Sequence, residues 1–196
     1  MYNCDTDTRH IQAISSGPRR YGRKFKRSKT SSEIKTNETE NGFDAKNKLN
    51  TRADTICAGA NWRLLSASHQ CYDVYGFHDN FKGIEDVPIE RVATVIRDEH
   101  GRLRILIVNQ SIYFGGSLYH SIFNTNQIRH FGIPVSGNTY DSGQDFVINH
   151  DDHFIPFKSE GSTVYLNYFV PTDAEINTCP HMIITDSEIK WDPHGV

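Results

Sequence analysis

The sequence predicts a mainly β domain that follows a basic N-terminal arm. From about residue 48, short runs of β-branched and aromatic residues are separated by turn residues, and one segment carries helix signals. Residues 1–46 are instead rich in Ser, Thr, Asn, Lys and Arg, without sustained periodicity. Such a segment buries too little apolar surface to offset its ordering entropy, so we expect a disordered arm.

Charge is divided unevenly between the arm and the domain. Residues 1–48 carry 11 Lys and Arg against 6 Asp and Glu, whereas residues 49–196 carry 10 against 18. The run 19–29 predicts a nucleic-acid-binding arm or a nuclear-import signal, because dense positive charge binds phosphates. A solvated tail without a partner is the alternative. The run holds seven basic residues and no acidic one: Arg19, Arg20, Arg23, Lys24, Lys26, Arg27 and Lys29.

Local patterns predict several elements of the β domain. The β-branched runs 92–96 and 103–108 flank a connection that contains Gly101, which predicts a hairpin. Asn124 is a suitable N-cap for one short helix, which Gly132 and the following Pro134 should end. Further strands are predicted at residues 154–157, 164–170 and 181–185.

The cysteine spacing and the apolar runs predict where in the cell the protein is located. The spacing of Cys4, Cys57, Cys71 and Cys179 fits neither a C-x-x-C pair nor a zinc knuckle, and predicts reduced thiols. The N-terminus lacks a signal-peptide core, and no apolar run is long enough for a membrane span. We therefore expect a soluble intracellular protein, cytoplasmic or nuclear, without a membrane partner. The ten histidines show no metal-ligand spacing, so no metal or cofactor is expected.

Two stretches carry a family resemblance. Residues 49–55 read Leu-Asn-Thr-Arg-Ala-Asp-Thr, and residues 89–128 place a glycine-turn hairpin, a strand, His120 and the helix in sequence. Together they resemble the retropepsin-like aspartic protease region of Ty1/copia-type retrotransposon polyproteins, over roughly residues 48–133. The second stretch is the more specific, because its elements follow the family's order and spacing.

The resemblance implies a retropepsin-like closed β domain at residues 47–134, with a small C-terminal β extension at 135–196. Such a domain is complete only as a homodimer and cleaves polypeptides. Each subunit donates one Asp-Ser/Thr-x-Ala loop, and the two aspartates meet across a two-fold axis. Two carboxyl groups about 3 Å apart share a proton, so one activates water while the other polarises the scissile carbonyl.

Carried onto this chain, the resemblance assigns the loop residues. Asn50 occupies the position of the catalytic aspartate, and Thr51 would hydrogen-bond its counterpart across the dimer. Ala53 would pack beneath the loop at the substrate cleft. Asp54 matches an aspartate that contacts substrate main chain in retroviral relatives, with a solvated acid as the alternative.

Gly76 and Gly83 lie where the resemblance places the flap, a mobile hairpin that closes over substrate. An ordinary surface loop explains the two glycines nearly as well. Substrate contact at these positions therefore depends on the resemblance.

Asn50 decides what activity to expect. A carboxamide does not ionise near neutral pH, and losing general acid–base help alone lowers a rate roughly 10²–10⁴-fold. The sequence therefore predicts a catalytically degenerate protease domain. In one alternative, Asp54 and Thr55 serve as the catalytic pair after a register shift of four residues. In another, the chain is a non-catalytic, dimerising β domain whose arm binds nucleic acid.

Overall fold

The computed structural model describes residues 10–12, 46–50, 53–76, 82–137 and 146–193. Most of these residues lie in strands, so the prediction of a mainly β protein is confirmed. The described strands are β1 His10–Gln12, β2 Lys46–Leu49, β3 Cys57–Gly59, β4 Arg63–Tyr75, β5 Ile84–Arg97, β6 Leu103–Gly115, β7 Ile122–Phe123, β8 Val135–Ser136, β9 Val147–His150, β10 His153–Pro156, β11 Lys158–Glu160, β12 Thr163–Asn167 and β13 His181–Ile183. The described helices are α1 Thr125–His130 and α2 Asp173–Thr178.

The described strands form two sheets, of which the smaller has the order β10-β9-β8. In the larger sheet, β4, β5 and β6 form an antiparallel meander. The predicted hairpin is its second half, in which Val92 pairs with Val108. Gly101 adopts a φ of 76°, a left-handed conformation that glycine reaches without a steric penalty. The Asp98 carboxylate accepts the backbone N–H groups of His100 at 3.0 Å and Arg102 at 2.9 Å, which closes the turn.

The larger sheet is mixed, and its order determines where the candidate site forms. Its order is β1-β4-β5-β6-β3-β7-β2-β12-β11, with β13 also paired to β6. Strand β7 therefore lies between β2 and β3, parallel to the first and antiparallel to the second. The described residues of the loop between β2 and β3 contact the end of β7 and the first turn of α1.

One buried cluster joins residues from Ile56 to Ile184. Trp62 lies in this cluster, with its ring centroid 6.2 Å from Phe123 and 6.1 Å from Tyr168. Tyr168 follows β12, which pairs with β2 in the larger sheet. The segment expected to be a C-terminal extension thus contributes strands and core residues to the same sheet and core as the segment before it.

Helix α1 forms where the sequence predicted a helix, and Asn124 is its N-cap. Gly132 follows it with a φ of 79°, as expected for a helix stop. The expectation of a single helix is wrong, because α2 is a second one. The sequence feature that indicates α2 is a capping box. The side chain of Thr172 accepts the backbone N–H of Glu175, and the side chain of Glu175 accepts that of Thr172.

Three other features bear on the sequence predictions. Within the segment predicted to be a disordered arm, residues 10–12 form β1, which pairs with β4 in parallel. Cys57 and Cys179 are free thiols, but Cys71 is disulfide-bonded, so the expectation of four reduced cysteines is wrong at that position. Neither described helix is long and apolar enough to cross a membrane.

Candidate functional site

The candidate site is the loop that leaves β2 at Asn50 and enters β3 at Cys57. Asn50 is half-buried, and its backbone N–H donates to the carbonyl of Phe123 at 3.0 Å. This bond extends the pairing of β2 with β7 by one residue. Thr51 and its neighbour Arg52 lie outside the described residues, so the predicted contact of Thr51 across a dimer stays a prediction.

Asn124 connects the loop to helix α1. Its side-chain oxygen caps the helix by accepting the N–H groups of Asn126 at 2.7 Å and Gln127 at 3.2 Å. Its side-chain nitrogen donates to the carbonyl of Ala53. Both Ala53 and Asn124 are buried, at 2% exposure each. The backbone carbonyl of Ala53 therefore carries the polar contact. The predicted place of Ala53 beneath the loop, at a substrate cleft, stays a prediction.

Gln127 supplies the second contact between the helix and the loop. Its side-chain oxygen accepts the backbone N–H of Ile56 at 2.8 Å, and its side-chain nitrogen donates to the carbonyl of Gln110 at 2.7 Å. Gln127 and Ile56 are both fully buried. A backbone N–H left unpaired in such a place is unfavourable, so this bond holds the end of the loop in one position.

Asp54 is half-exposed. Its backbone carbonyl accepts the indole N–H of Trp191 at 3.0 Å. Asp54 also contributes to the wall of an open cleft of about 410 Å³. The other residues of this wall come from α1, its N-cap and the C-terminal segment: Asn124, Asn126, Arg129, His130, Trp191 and Pro193.

The two predicted flap glycines flank the connection between β4 and β5. Gly76 directly follows β4 and Gly83 precedes β5, while Val74 and Ile84 pair where the hairpin opens. A Cβ atom at Gly83 would lie 2.8 Å from the ring of Tyr75, so a side chain there would displace that ring. The residues between 76 and 82 lie outside the described part, so contact of this connection with a substrate stays a prediction.

The seven basic residues predicted to bind nucleic acid lie outside the described residues. This set comprises Arg19, Arg20, Arg23, Lys24, Lys26, Arg27 and Lys29. Nucleic-acid binding by the arm therefore stays a prediction.

Cysteine chemistry is disfavoured at Cys57. Its side chain is 1% exposed, and burial, helped by the charge of Asp54, raises the pKa of its thiol to about 12. A thiol with that pKa carries almost no thiolate at neutral pH, and the thiolate is the nucleophilic form. Cys57 instead packs in a cluster with Val87, Ile89 and Ile112.

A second group of polar side chains occurs at the β5–β6 turn. Asp98, Glu99 and His153 bring ligand atoms within 4.8 Å of one another. However, Asp98 already accepts the guanidinium groups of Arg102 at 3.0 Å and Arg104 at 2.9 Å. Its negative charge is therefore balanced by arginine, and the arrangement closes the hairpin.

Sequence reasoning missed three residues that hold the loop: Gln110, Gln127 and Trp191. Gln127 lies at the expected position in the helix, but no local signal indicated that its side chain would reach Ile56, 71 positions earlier. Trp191 is 137 positions from Asp54 along the chain. Such contacts follow from the sheet order and have no signature in local spacing.

Comparisons of the chain with protein-family models, with curated proteins and with solved structures find no match.

Proposed function

We propose that this chain contains a retropepsin-like aspartic endopeptidase domain, of the kind found in Ty1/copia-type retrotransposon polyproteins, whose catalytic position is degenerate at Asn50. One observation carries the proposal. The two stretches of the resemblance, far apart in sequence, meet at the β2–β3 loop through the bonds of Phe123, Asn124 and Gln127.

The active-site loop of an aspartic protease must be held in one conformation. Two carboxyl groups must be held close enough to share a proton, and small displacements of reacting groups cause large losses of rate. Here the loop is bonded to the strand and helix behind it through Asn50, Ala53 and Ile56. Such a scaffold supports the placement of a side chain at position 50, whichever residue occupies it.

The substitution at position 50 defines the expected defect. The Asn50 carboxamide has nearly the shape of a carboxylate, but it neither ionises near neutral pH nor acts as a general base. In a homodimer both catalytic carboxylates would be absent at once. We therefore expect the parent chain to show little or no proteolysis, and Asn50→Asp to restore the missing chemistry.

The test compares cleavage of a mixed peptide library at pH 4–7 by the parent chain, Asn50→Asp and Asn50→Ala. Activity in Asn50→Asp alone supports the proposal. A bell-shaped pH profile is expected for that variant, because a pair of coupled carboxyl groups must share one proton. Activity in all three chains contradicts the assignment of position 50.

Asp54 provides the control for the alternative register. If Asp54 and Thr55 were the catalytic pair, the parent would cleave peptides and Asp54→Asn would abolish that activity. If Asp54 only binds substrate main chain, Asp54→Asn in the Asn50→Asp background should mainly raise KM. The two results separate the alternatives without further assumptions about the substrate.

A second candidate function is a non-catalytic β domain that dimerises and binds nucleic acid through the basic arm. The carboxamide at Asn50 favours it, because a binding module needs no ionisable group there. Phosphate binding by the arm should weaken steeply with salt. A dimer that binds nucleic acid in this way, together with an inert Asn50→Asp variant, would support this function over proteolysis.

A further inference from the structure

Trp191 lies at the junction of the candidate loop, helix α1 and the C-terminal segment. Its side chain is buried, at 5% exposure. The indole N–H is shared between the carbonyl of Asp54 at 3.0 Å and the hydroxyl of Thr55 at 3.1 Å. Thr55 is itself only 2% exposed. The indole is thus an internal hydrogen-bond donor to the half of the loop that follows Ala53.

Trp191 also packs on the end of α1. Its ring centroid lies 4.9 Å from that of His130, at an interplanar angle of 65°, and 6.4 Å from that of Phe131. The edge-to-face contact with His130 adds to the stabilisation that burial of the rings provides. Trp191 therefore bridges the loop to the C-terminal end of the helix whose N-terminal end already holds Ala53 and Ile56.

Gln110 fixes the backbone that carries Trp191. Its side-chain oxygen accepts the N–H of Trp191 at 2.8 Å, and its side-chain nitrogen donates to the carbonyls of Asp186 at 3.0 Å and Ile189 at 2.6 Å. The Asp186 carboxylate in turn accepts the N–H groups of Glu188 and Ile189. The segment 186–191 is thus a defined turn, held by one residue of β6.

These contacts form a closed ring of hydrogen bonds. The loop bonds to Gln127, Gln127 bonds to the carbonyl of Gln110, the side chain of Gln110 bonds to Trp191, and Trp191 bonds back to the loop. Every connection is a hydrogen bond of 2.7–3.0 Å. The loop is therefore held both by Gln127 of α1 and by Trp191, whereas α1 alone would hold it from one side only.

We infer that Trp191 is a positioning residue for the loop that carries Asn50 and Asp54, and that segment 186–191 belongs to the functional site. The inference rests on the proposed function only for its catalytic consequence. The segment would act by holding the backbone of Asp54 and Thr55. Removing the indole N–H should loosen residues 53–56 while leaving the β4–β5–β6 meander intact.

The test uses the full chain with Trp191→Phe, which keeps an aromatic ring but lacks the N–H group. Trp62→Phe is the matched control, because it removes the same donor from a buried bond to Asn47 at 3.2 Å. Hydrogen exchange at the amides of residues 53–56 should become roughly tenfold faster in Trp191→Phe, relative to amides of β5. Trp62→Phe should produce no such selective increase.

Kinetics in the Asn50→Asp background provide a second readout. There, Trp191→Phe should lower kcat more than it raises KM, because a displaced loop misplaces the reacting group. If Asn50→Asp cleaves nothing, the proposed function fails, and the exchange experiment still decides the role of Trp191. Unchanged exchange at residues 53–56 in a folded Trp191→Phe chain overturns the inference.

A measurement on the unmodified chain covers the case in which Trp191→Phe does not fold. The two indole N–H signals can be assigned by loss of one of them in Trp62→Phe. The Trp191 signal should exchange slowly with solvent, as a buried and bonded group does. Exchange at the rate of a free indole would contradict the role of Trp191.

Discussion

The side-chain oxygen of Gln127 accepts the backbone N–H of Ile56 at 2.8 Å, and neither residue is exposed to solvent. This bond joins the end of the candidate loop to the first turn of α1. In the sheet, β7 lies between β2 and β3, and the helix that follows β7 contacts the loop that joins those two strands.

Gln127→Ala should destabilise the fold, because it leaves the buried N–H of Ile56 and the carbonyl of Gln110 without their partner. The expected loss is about 2–3 kcal/mol, typical for buried polar groups left unsatisfied. Urea denaturation followed by circular dichroism measures it. Asn126→Ala, one residue away on the exposed side of α1, is the control and should change stability by less than about 0.5 kcal/mol. Equal effects of both substitutions would contradict the role given to Gln127.

Gly59→Ala, in β3, should strongly destabilise the folded protein. A Cβ atom there would lie 2.1 Å from the carbonyl oxygen of Leu118, and the clashing atom belongs to the backbone. We expect a loss of roughly 3 kcal/mol or more, or failure to fold, because the backbone must separate to admit a methyl group. Thermal unfolding or soluble yield measures the effect.

Gly116→Ala is the control for that clash. A Cβ atom at Gly116 would meet nothing within 4 Å. The Gly116→Ala chain should therefore be about as stable as the parent chain. A Gly59→Ala chain that unfolds at the parent temperature would show that β3 and Leu118 are not in close contact.

Asp98 should make the stability of the protein depend on pH in the acid range. Burial alone would raise its pKa, but hydrogen bonds from Arg104, Arg102 and the turn backbone outweigh burial and hold the pKa well below its usual range. For an acid whose pKa is lowered by folding, the stabilisation is complete above the unfolded-state pKa of about 3.9. It is lost as pH falls through the folded-state pKa.

Asp98→Asn tests this dependence. At pH 7 it should cost about 3 kcal/mol, because Arg104 would stay buried without its carboxylate. The difference from the parent should shrink as pH falls below about 4. Asp151→Asn, in an exposed acid with 83% of its side chain accessible, is the control and should have little effect at any pH. A pH-independent deficit in Asp98→Asn would contradict the charge-based explanation.

Glu90 should make the folded protein less stable as pH rises, the opposite of the effect of Asp98. Burial raises its pKa, although the N–H of Ser68 and the nearby His69 oppose the shift. The charged form is therefore less stable in the folded chain, so the penalty is absent below the unfolded-state pKa and grows as pH rises. Glu90→Gln, which keeps an acceptor for Ser68, should raise the urea midpoint at pH 7 and match the parent near pH 4. Glu85→Gln, on the exposed part of β5, should shift neither midpoint; a Glu90→Gln chain no more stable than the parent at pH 7 would contradict the prediction.

Local elements were predictable because their signals are local. The turn at Gly101 needs a left-handed residue between two β-branched runs, and Asn124 caps a helix with its own side chain. Helix α2 could also have been found, since Thr172 and Glu175 form a capping box within four residues. In each case the interacting atoms lie a few residues apart, so the pattern and the structure coincide.

By itself, the sequence determined the mainly β character, the β5–β6 hairpin, helix α1 and the carboxamide at Asn50. Only the tertiary structure decided that β7 separates β2 from β3, that Asn124 and Gln127 hold the loop, and that Trp191 joins it from the far end of the chain. The physical reason is that periodicity and turn chemistry act between neighbours in sequence. Strand order and buried hydrogen bonds between distant residues depend on how the whole core packs.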